Sequence, residues 1–506
     1  MNRPALAALV VLVLQGFTAT SAAEALRLVG ERQVVLINLT GGLPGRWTSC
    51  VETCPDDLDE RPPAEVQTLL RPAPGGTRMS WLIPGDPAAT RELEGIEYAV
   101  QLHRNEQHNT AILTALAPFR GMRLVHSYSI STKDRLLSAS LQVPPGARLQ
   151  LTGGQDLAPE RLPGFASLYS DARGIVVNAL GQHTLTEDDG TAAADVPLAA
   201  AEWAGVRGRF WTLLLTPASA LLVDAAESVP DEPQLTFRRD ATSGGILDLT
   251  FYGGPVAQRD FVANAPELGG LLYAGLWQPL RYLSFGLHWL LDRWQGLVGN
   301  WGVAIVLLSL SVKVLMAPLI FFAERWQADV NRTQSRLQPE LAAIKRDFKG
   351  EEAHNLTLAV YNKHGVSQFY TLKSLAGFLI QIPVFIAAFD MLGENFGLNG
   401  AGFLWVHDLA VPDRVAALPM LVPFFGGHLN LLPLLMTALT ILAARLQEEP
   451  SLSPGLRQGQ RLRLYGMAVV FFVLLYTFPA GMVLYWTANN FWHLTRILLG
   501  RVVRAP

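Results

Sequence analysis

The side chain best placed to do chemistry is a lysine inside a long apolar run. Residues 300–323 contain a single charged side chain, Lys313. A charge within a membrane span costs roughly 2.5–3.5 kcal/mol on insertion scales and persists mainly where it lines polar space. Lys313 is therefore predicted to line a hydrated groove. The alternative is that its long side chain extends the ammonium group toward the nearby membrane surface.

Polar side chains also interrupt the other apolar runs. Ser309 precedes Lys313 by about one helical turn, and Gln381 lies within the next apolar run. The last run holds three further polar residues, Thr487, Asn489 and Asn490. Buried amides and hydroxyls in lipid need partners, so these residues are predicted to share a hydrated groove with Lys313, or each to bond a neighbouring helix.

The sequence offers no catalytic motif that would make the chain an enzyme. It lacks the zinc-protease, nucleophile-elbow and P-loop patterns, and its ten histidines are scattered. Its two cysteines, Cys50 and Cys54, lie in one short loop and cannot form a four-thiolate zinc site. In an exported domain they favour a small disulfide over a redox-active pair. We expect no cofactor and no metal.

The composition indicates a soluble part joined to a membrane part. Half of the 506 residues are hydrophobic, and 16% are charged, against about 25% in a typical soluble domain. The formal net charge of −3 gives no global basic field for binding nucleic acid, so recognition of a nucleic-acid sequence is not expected.

The first part of the chain is predicted to be exported. Residues 1–23 carry Arg3, an apolar run and small residues, which fits a cleaved signal peptide or a first transmembrane anchor. Residues 24–266 contain short β-type runs between glycine- and proline-rich turns, without sustained helical periodicity, and predict a periplasmic antiparallel β-sandwich domain. The runs are 33–38, 148–152, 174–179, 210–216, 234–238 and 246–252.

The second part is predicted to be a helical membrane region. Residues 267–299, which carry Trp277, Trp289 and Trp294, predict an amphipathic helix on the membrane surface. Apolar runs predict spans at 300–323, 374–390, 415–444, 464–478 and 482–499, the last two separated by a break at Pro479.

The distribution of basic residues predicts the orientation of these spans. Lysine and arginine number eight in residues 324–373 and four in 445–463, but one in 391–414. Residues 324–373, predicted to be a helical hairpin, the loop 445–463 and the tail 500–506 are therefore expected in the cytoplasm, and the loop 391–414 in the periplasm. The predicted fold class is an α+β membrane protein: an exported antiparallel β-sandwich followed by a five-span α-helical bundle with a cytoplasmic helical hairpin.

Several motifs of the apolar half occur together in a known order. They are Asn300-Trp301-Gly302, Lys313 followed by Ala317-Pro318-Leu319, and the segments 337–340, 379–385, 405–409 and 478–486, followed by Asn489-Asn490. These motifs, from about residue 271 to 501, resemble the YidC/Oxa membrane protein insertases. The β-rich part is similar to the large periplasmic domain of the Gram-negative members.

The resemblance implies an inner-membrane insertase and chaperone for nascent membrane proteins, working alone or with the SecYEG translocon and the ribosome, in contact with lipid and without ATP. Lys313 stands where the family has an arginine, which keeps the charge but loses the bidentate fork. The implied groove residues are Lys313, Ser309, Gln381, Thr487, Asn489 and Asn490, and the implied apolar slide for a substrate helix is Phe378, Ile382, Phe385, Phe471 and Phe472.

Two other classes of protein share some of these features. A secondary transporter or channel also has proline-broken apolar helices and an intramembrane cation, but it usually shows an internal repeat, and none is visible here. An enzyme of envelope sugar metabolism would need convergent acidic or metal-binding residues, and the sequence has no such constellation.

Overall fold

The computed structural model describes most of the chain. The described residues are 25–55, 65–71, 76–154, 157, 160–170, 172–178, 181–184, 193–229, 232–239, 244–367, 376–447 and 454–504. The predicted signal peptide or anchor, residues 1–23, lies outside them, as does the start of the predicted span 374–390.

The first half of the chain folds into antiparallel sheets. A four-stranded sheet has the order β1-β2-β3-β4, a five-stranded sheet β13-β16-β17-β10-β5, and a nine-stranded sheet β12-β11-β14-β15-β18-β9-β8-β7-β6. The strands β1 to β9 are Ala25–Val29, Gln33–Asn38, Pro44–Cys50, Val66–Leu70, Arg78–Leu82, Tyr98–Arg104, His108–Ala115, Val125–Ser131 and Leu136–Val143. The strands β10 to β18 are Arg148–Thr152, Arg173–Asn178, Gly181–Thr184, Ala193–Leu198, Trp203–Arg207, Trp211–Pro217, Leu221–Val229, Glu232–Arg238 and Gly245–Pro255.

The five- and nine-stranded sheets face each other across one apolar core. Along β8 and β9, buried and accessible side chains alternate, as expected for strands with one face on the core. Tyr128 and Leu141 of the larger sheet and Trp81 and Phe237 of the smaller one belong to this core. The predicted antiparallel β-sandwich is therefore confirmed at the level of its architecture.

The predicted β-runs all coincide with strands. Runs 33–38 and 148–152 match β2 and β10 at both ends, and the other four lie within three residues of the observed bounds. Twelve more strands of this part were not predicted, because many are short or carry polar residues on the solvent face.

Short helices accompany the sheets. The helix α1 (Pro87–Glu94) starts at Asp86, whose carboxylate accepts the Ala89 N–H at 2.9 Å. The helix α2 (Gln258–Asn264) follows β18. Two 3-10 helices, Gly164–Tyr169 and Pro266–Leu271, lie beside the helical region.

The second half is helical except for one hairpin. The helices are α3 (Gln278–Val298), α4 (Trp301–Asp347), α5 (Gly350–Lys363), α6 (Ala376–Glu394), α7 (Leu431–Leu446), α8 (Pro454–Leu475) and α9 (Ala480–Arg504). The helix α9 packs on α4, α6 and α7, whereas α8 packs on α7 and α3 packs on α4 and α6. A 3-10 helix, Phe396–Leu398, and the strands β19 (Ala416–Val422) and β20 (Gly426–Leu429) lie between α6 and α7.

One of the predicted helix boundaries is wrong. Residues 415–429 form most of the β19–β20 hairpin and not the first half of a span 415–444, because Pro419, Pro423 and the pair Gly426-Gly427 interrupt helical structure. The predicted span 300–323 and the first helix of the predicted hairpin are one continuous 47-residue helix, α4, since residues 324–347 keep helical propensity beyond the apolar run. The predicted break at Pro479 is present between α8 and α9.

By length and hydropathy, one helix among the described residues, α4, is long and apolar enough to cross a membrane. The helix α7 is apolar but shorter.

Candidate functional site

The helix α4 places Lys313 about 18 Å along its axis from Trp301, at a rise of 1.5 Å per residue. The helix begins at Asn300, whose side chain accepts the Val303 N–H at 3.0 Å. Ser309, one turn before Lys313, and Glu324, about three turns after it, lie on the same face of α4, because 3.6 residues make a turn. This face of α4 therefore carries a hydroxyl, a cation and a carboxylate in line.

The helix α9 faces Lys313 with a matching polar row. Its residues Asn489, His493 and Arg496 are spaced by three or four positions and so share one face. Arg496 donates to Glu324 at 2.6 Å, which ties the middle of α4 to the last third of α9. Lys313, Arg496 and Glu324 interact electrostatically and form one charged cluster, with the His493 ring beside it.

Aromatic rings lie on the side of this cluster that is nearer to the β-sandwich. We call this the outer side, and the opposite side the inner side. Trp486 of α9 contacts Phe385 of α6 and Phe471 of α8, with ring centroids 4.7 Å apart in both pairs. Phe389 lies 4.1 Å from Phe385 and 6.2 Å from Phe478. We call these five residues, Phe385, Phe389, Phe471, Phe478 and Trp486, the aromatic cap. The cap joins α6, α8 and α9 at their outer ends.

The polar residues lie one turn inward from the cap. Gln381 precedes Phe385 by four positions on α6, and Asn489 follows Trp486 by three on α9. Lys313, Gln381, Asn489 and His493 are all half-exposed, although each lies within a helix that packs on others. The arrangement is a candidate groove that aromatic rings close at its outer end.

The six predicted groove residues do not all face this groove. Asn490 donates to Thr440 Oγ1 of α7 at 2.8 Å, so it links α7 to α9. Thr487 is buried, and its hydroxyl donates to the Val483 carbonyl of its own helix at 2.7 Å. The Ser309 hydroxyl is buried without a hydrogen-bond partner among the described residues. Lys313, Gln381 and Asn489 are the predicted residues placed around the candidate groove.

The structure does not bring the residues of the predicted apolar slide together on one surface. Phe385 and Phe471 both contact Trp486 in the aromatic cap, and Ile382 lies half-exposed one turn inward on α6. Phe472 instead contacts Tyr476, on the side of α8 that faces the β19–β20 hairpin. The side chain of Phe378 lies outside the described residues.

Three groove residues were missed in the sequence. Glu324 lies in the predicted cytoplasmic segment 324–373, and Arg496 and His493 lie in the predicted span 482–499, where neither was singled out. The signal that could have found them is helical spacing: Glu324 follows Lys313 by eleven positions, close to three turns, and His493 and Arg496 continue the row that starts at Asn489.

The outer end of the helical region is bound to the β-sandwich. Arg209, in the turn between β14 and β15, donates to the carbonyls of Gly393 and Ala410, both at 2.6 Å. Its guanidinium lies over the rings of Phe210 at 4.4 Å and Tyr169 at 5.0 Å. Burial lowers the pKa of Arg209 to about 10, so the group remains charged at pH 7. Arg207 adds an ion pair with Glu394 at 3.2 Å.

The structure also bears on disulfide and metal chemistry. Cys50 and Cys54 form a disulfide that closes the loop after β3. Within the described ranges, no group of three or more histidine, cysteine, aspartate or glutamate side chains is arranged to hold a metal ion.

Comparisons with known proteins place the helical region in a family. Residues 293–502 match the family model described as 60Kd inner membrane protein. The chain is 27% identical over 385 residues to a protein of Treponema pallidum (strain Nichols) named "Membrane protein insertase YidC", a match that covers 70% of this chain and 57% of that protein. A protein of the same name from Shewanella sp. (strain ANA-3) is 33% identical over 255 residues, covering 50% of this chain and 42% of the relative. The chain thus spans about half the length of the curated relatives it matches.

Two solved structures are similar over most of the chain. One is titled "Active YidC insertase crystal structure with the first transmembrane domain resolved", with 15% identity, a TM-score of 0.36 and coverage of 94% of this chain and 93% of that one. The other, YidC from Thermotoga maritima, has 12% identity, a TM-score of 0.30 and coverage of 94% and 98%. Both TM-scores lie below 0.5, so the architecture rests on the strand and helix pairing described above. Over residues 293–502 the chain is thus similar to the family described as 60Kd inner membrane protein, and the relatives that it matches are named "Membrane protein insertase YidC".

Proposed function

We propose that the chain is an inner-membrane insertase and chaperone, which inserts and folds nascent membrane proteins through the groove around Lys313. The observation that carries the proposal is the placement of one lysine on an apolar helix, opposite a polar row on α9 and inward from the aromatic cap. The family match over the same residues supports it.

The proposed mechanism uses the charge and the closed outer end. Lys313 attracts an acidic segment of a nascent chain from the cytoplasm into a hydrated cleft, where a charge interaction is stronger than in bulk water. Gln381 and Asn489 supply further polar contacts, and the aromatic cap limits leakage of water and ions toward the periplasm. The apolar helix of the substrate then moves along α6 and α8, past Ile382 and Phe471, into lipid.

The proposed topology follows the distribution of charge. The helices α4, α6, α7, α8 and α9 cross the inner membrane, the α4–α5 hairpin lies in the cytoplasm, and the β-sandwich lies in the periplasm. The lysines and arginines of residues 324–373 and 445–463 support this orientation. Where a helix is shorter than the hydrocarbon core, the membrane thins around it, which shortens the path for a polar segment.

The proposed partners follow from the same geometry. Nascent membrane proteins enter the groove, and lipid surrounds the helices. The α4–α5 hairpin carries a mixed polar surface, including the contacts of Glu340 with Lys363 at 3.2 Å and His364 at 2.8 Å. We propose that this surface contacts the ribosome and that the chain works alone or beside the SecYEG translocon.

The test replaces Lys313 and compares two substrates. Purified full-length protein in proteoliposomes is given single-span substrates whose translocated tails differ only in acidic or neutral residues. Lys313→Ala should lower insertion of the acidic-tailed substrate by about three- to tenfold and leave the neutral one nearly unchanged, because the attraction requires the charge. Lys313→Arg should keep wild-type insertion of both.

A matched control is Lys345→Ala, which removes an exposed lysine far along the same helix and should affect neither substrate. Equal insertion of both substrates by Lys313→Ala would overturn the electrostatic role. Uptake of a small solute by the same liposomes, with no insertion of either substrate, would favour a transporter and contradict the proposed function.

A further inference from the structure

The hairpin β19–β20 is apolar but exposed. Residues 415–429 contain no aspartate, glutamate, lysine or arginine, and His428 is their single titratable residue. Met420 and Leu421, neighbours in β19, are 69% and 76% exposed. Ala416 and Ala417, successive residues in the paired part of β19, are also both exposed. Successive side chains of a paired strand point to opposite faces, so both faces of this hairpin present apolar side chains. A protein partner that covered one face would leave the other in water.

Hydrogen bonds and a ring contact fix the position of the β19–β20 hairpin along the axes of the helices. Tyr476, just after α8, donates to the His428 carbonyl at 3.1 Å, and Asn430 donates to the Tyr476 carbonyl at 2.7 Å. Phe425 packs on Tyr476 with ring centroids 5.2 Å apart. The hairpin therefore lies at the outer ends of α7 and α8, next to exposed leucines of α7 at positions 431, 434 and 435.

The β-sandwich contributes to the same surface. The 3-10 helix Gly164–Tyr169 exposes Phe165 and Leu168 beside the hairpin, and Phe165 contacts Phe424 with ring centroids 5.0 Å apart. Arg414, just before the hairpin, forms an ion pair with Glu160 at 2.7 Å. We call the exposed residues Phe165, Leu168, Met420, Leu421 and Phe424 the hairpin surface.

The backbone of the hairpin limits how deep it can lie. A two-stranded ribbon has open edges, whose N–H and C=O groups need water or headgroups and are not tolerated in the hydrocarbon centre. Pro419 and Pro423 lack N–H donors, which reduces that cost at the tip. Between the pairs Ala417↔His428 and Val422↔Gly426 the register shifts, so the segment 418–421 bulges from the ribbon. An apolar bulge on a polar-edged ribbon suits the boundary between headgroups and acyl chains.

We propose that the hairpin surface inserts into the outer-leaflet interface of the membrane, where it anchors the β-sandwich to lipid. The inference rests on the proposed membrane placement of the helices, since it uses their outer ends as the reference level. Its occupant is lipid, because both faces of the ribbon are apolar and the surface is continuous with the exposed leucines of α7. The anchor holds the β-sandwich at the membrane surface, next to the end of α6 that Arg209 contacts.

The test measures contact with lipid at single introduced cysteines. The chain's two cysteines are joined in a disulfide, so one added cysteine is the only free thiol for an environment-sensitive fluorophore. Full-length Leu421→Cys and Leu168→Cys are labelled and reconstituted in phosphatidylethanolamine–phosphatidylglycerol liposomes that contain a lipid with a nitroxide near its headgroup. The nitroxide should lower the fluorescence of both by about twofold or more, while iodide on both sides of the membrane should quench them weakly.

Two control positions separate the possible failures. Leu116 is 61% exposed and follows β7 at the end of the nine-stranded sheet remote from Arg209, so labelled Leu116→Cys should be quenched by iodide and not by the lipid nitroxide. Leu315, 70% exposed on α4, reports the membrane placement of the helices themselves.

Each outcome decides one of the two proposals. If Leu315→Cys is quenched by the lipid nitroxide but Leu421→Cys behaves like Leu116→Cys, the hairpin is in water and the anchor is overturned. If Leu421→Cys is shielded from both quenchers, a second copy of the chain or another protein covers it, which also overturns the anchor. If Leu315→Cys is not quenched, the proposed membrane placement fails.

Discussion

The charge of Lys313 remains available because no carboxylate is paired with it. Glu324 forms its ion pair with Arg496, at 2.6 Å, and among the residues that the structure describes, no carboxylate lies within ion-pair distance of Lys313. Its ammonium group can therefore attract an incoming carboxylate. This is the residue-scale basis of the proposed substrate preference.

Another buried basic group makes the stability of the β-sandwich depend on pH. His126 is fully buried in the core, stacks on Trp81 and lies 2.9 Å from the Tyr98 hydroxyl. Burial lowers the pKa of His126 to about 4. Between about pH 6.5 and pH 4 the unfolded chain binds more protons than the folded one, so the stability present above pH 6.5 is lost as the pH falls.

We predict a loss on the order of 3 kcal/mol in the free energy of unfolding of the β-sandwich from pH 7 to pH 4 through His126 alone. His126→Gln should remove this part of the slope, since an amide does not titrate. The measurement is hydrogen exchange of β8 and β9 in the full chain as a function of pH, corrected for intrinsic rates. The exposed His103→Gln is the matched control and should keep the wild-type slope; an unchanged slope in His126→Gln would refute the assignment.

The two residues differ in how far the sequence could predict them. Lys313 was recognisable because a single charge in an apolar run is costly wherever the helix packs. The burial of His126 depends on two sheets that meet around β8, and the segment 125–131, with alternating serines, gave no strong apolar signal. The link of Glu324 to Arg496 joins residues 172 positions apart, which only the packing of α9 on α4 brings together.

At the scale of elements, periodicity predicted whether a segment is a helix or a strand better than it predicted the first and last residues of that segment. The strands β2 and β10 have continuous β-branched or alternating runs, whereas residues 415–444 are apolar throughout, so composition could not separate the hairpin from α7. Proline and paired glycine in residues 419–427 indicate a turn, whereas the length of the apolar run alone favours a span. The sequence also gave no sign of the junction between α4 and the loop after α6, because this contact depends on how closely the two segments approach each other in the fold.

That junction gives a prediction about α4. A Cβ added to Gly302 would lie 2.0 Å from the Phe403 ring, so the helix packs there directly on the loop after α6. Gly302→Ala should lower the free energy of unfolding by about 1–3 kcal/mol through overpacking. Gly286→Ala in α3, where a Cβ would meet nothing within 4 Å, is the matched control and should be neutral or slightly stabilising. Thermal unfolding of both variants in detergent tests this, and equal midpoints would rule out the close approach.

At the scale of the whole molecule, the β-sandwich and the helices share a continuous core. Ile175, Trp203 and Leu214 of the nine-stranded sheet belong to the same apolar cluster as Leu287 of α3 and Ile305 of α4. The sequence predicted the two parts separately but not their contact, since Arg207 at the end of β14 and Arg209 in the turn after it look like ordinary surface residues. The contact makes the outer end of α6 a shared element: its last turn presents Gly393 to Arg209 and Glu394 to Arg207.

Arg209 is predicted to contribute much of the free energy that holds the β-sandwich against the helices. The side chain is 6% exposed, and its removal would leave the carbonyls of Gly393 and Ala410 buried without their charged donor. An unsatisfied buried acceptor costs about 1–3 kcal/mol, so Arg209→Ala should lower the free energy of unfolding by about 2–4 kcal/mol. Arg209→Lys should recover less than half of the loss, because lysine cannot reach both carbonyls with one planar fork or stack between Tyr169 and Phe210. Thermal unfolding of the full chain measures the loss, and protease cleavage in residues 391–414, which should accelerate, locates it at the junction. The exposed Arg104→Ala on β6 should match wild type in both assays; if Arg209→Ala matched it too, the two parts would be held together by apolar contacts alone.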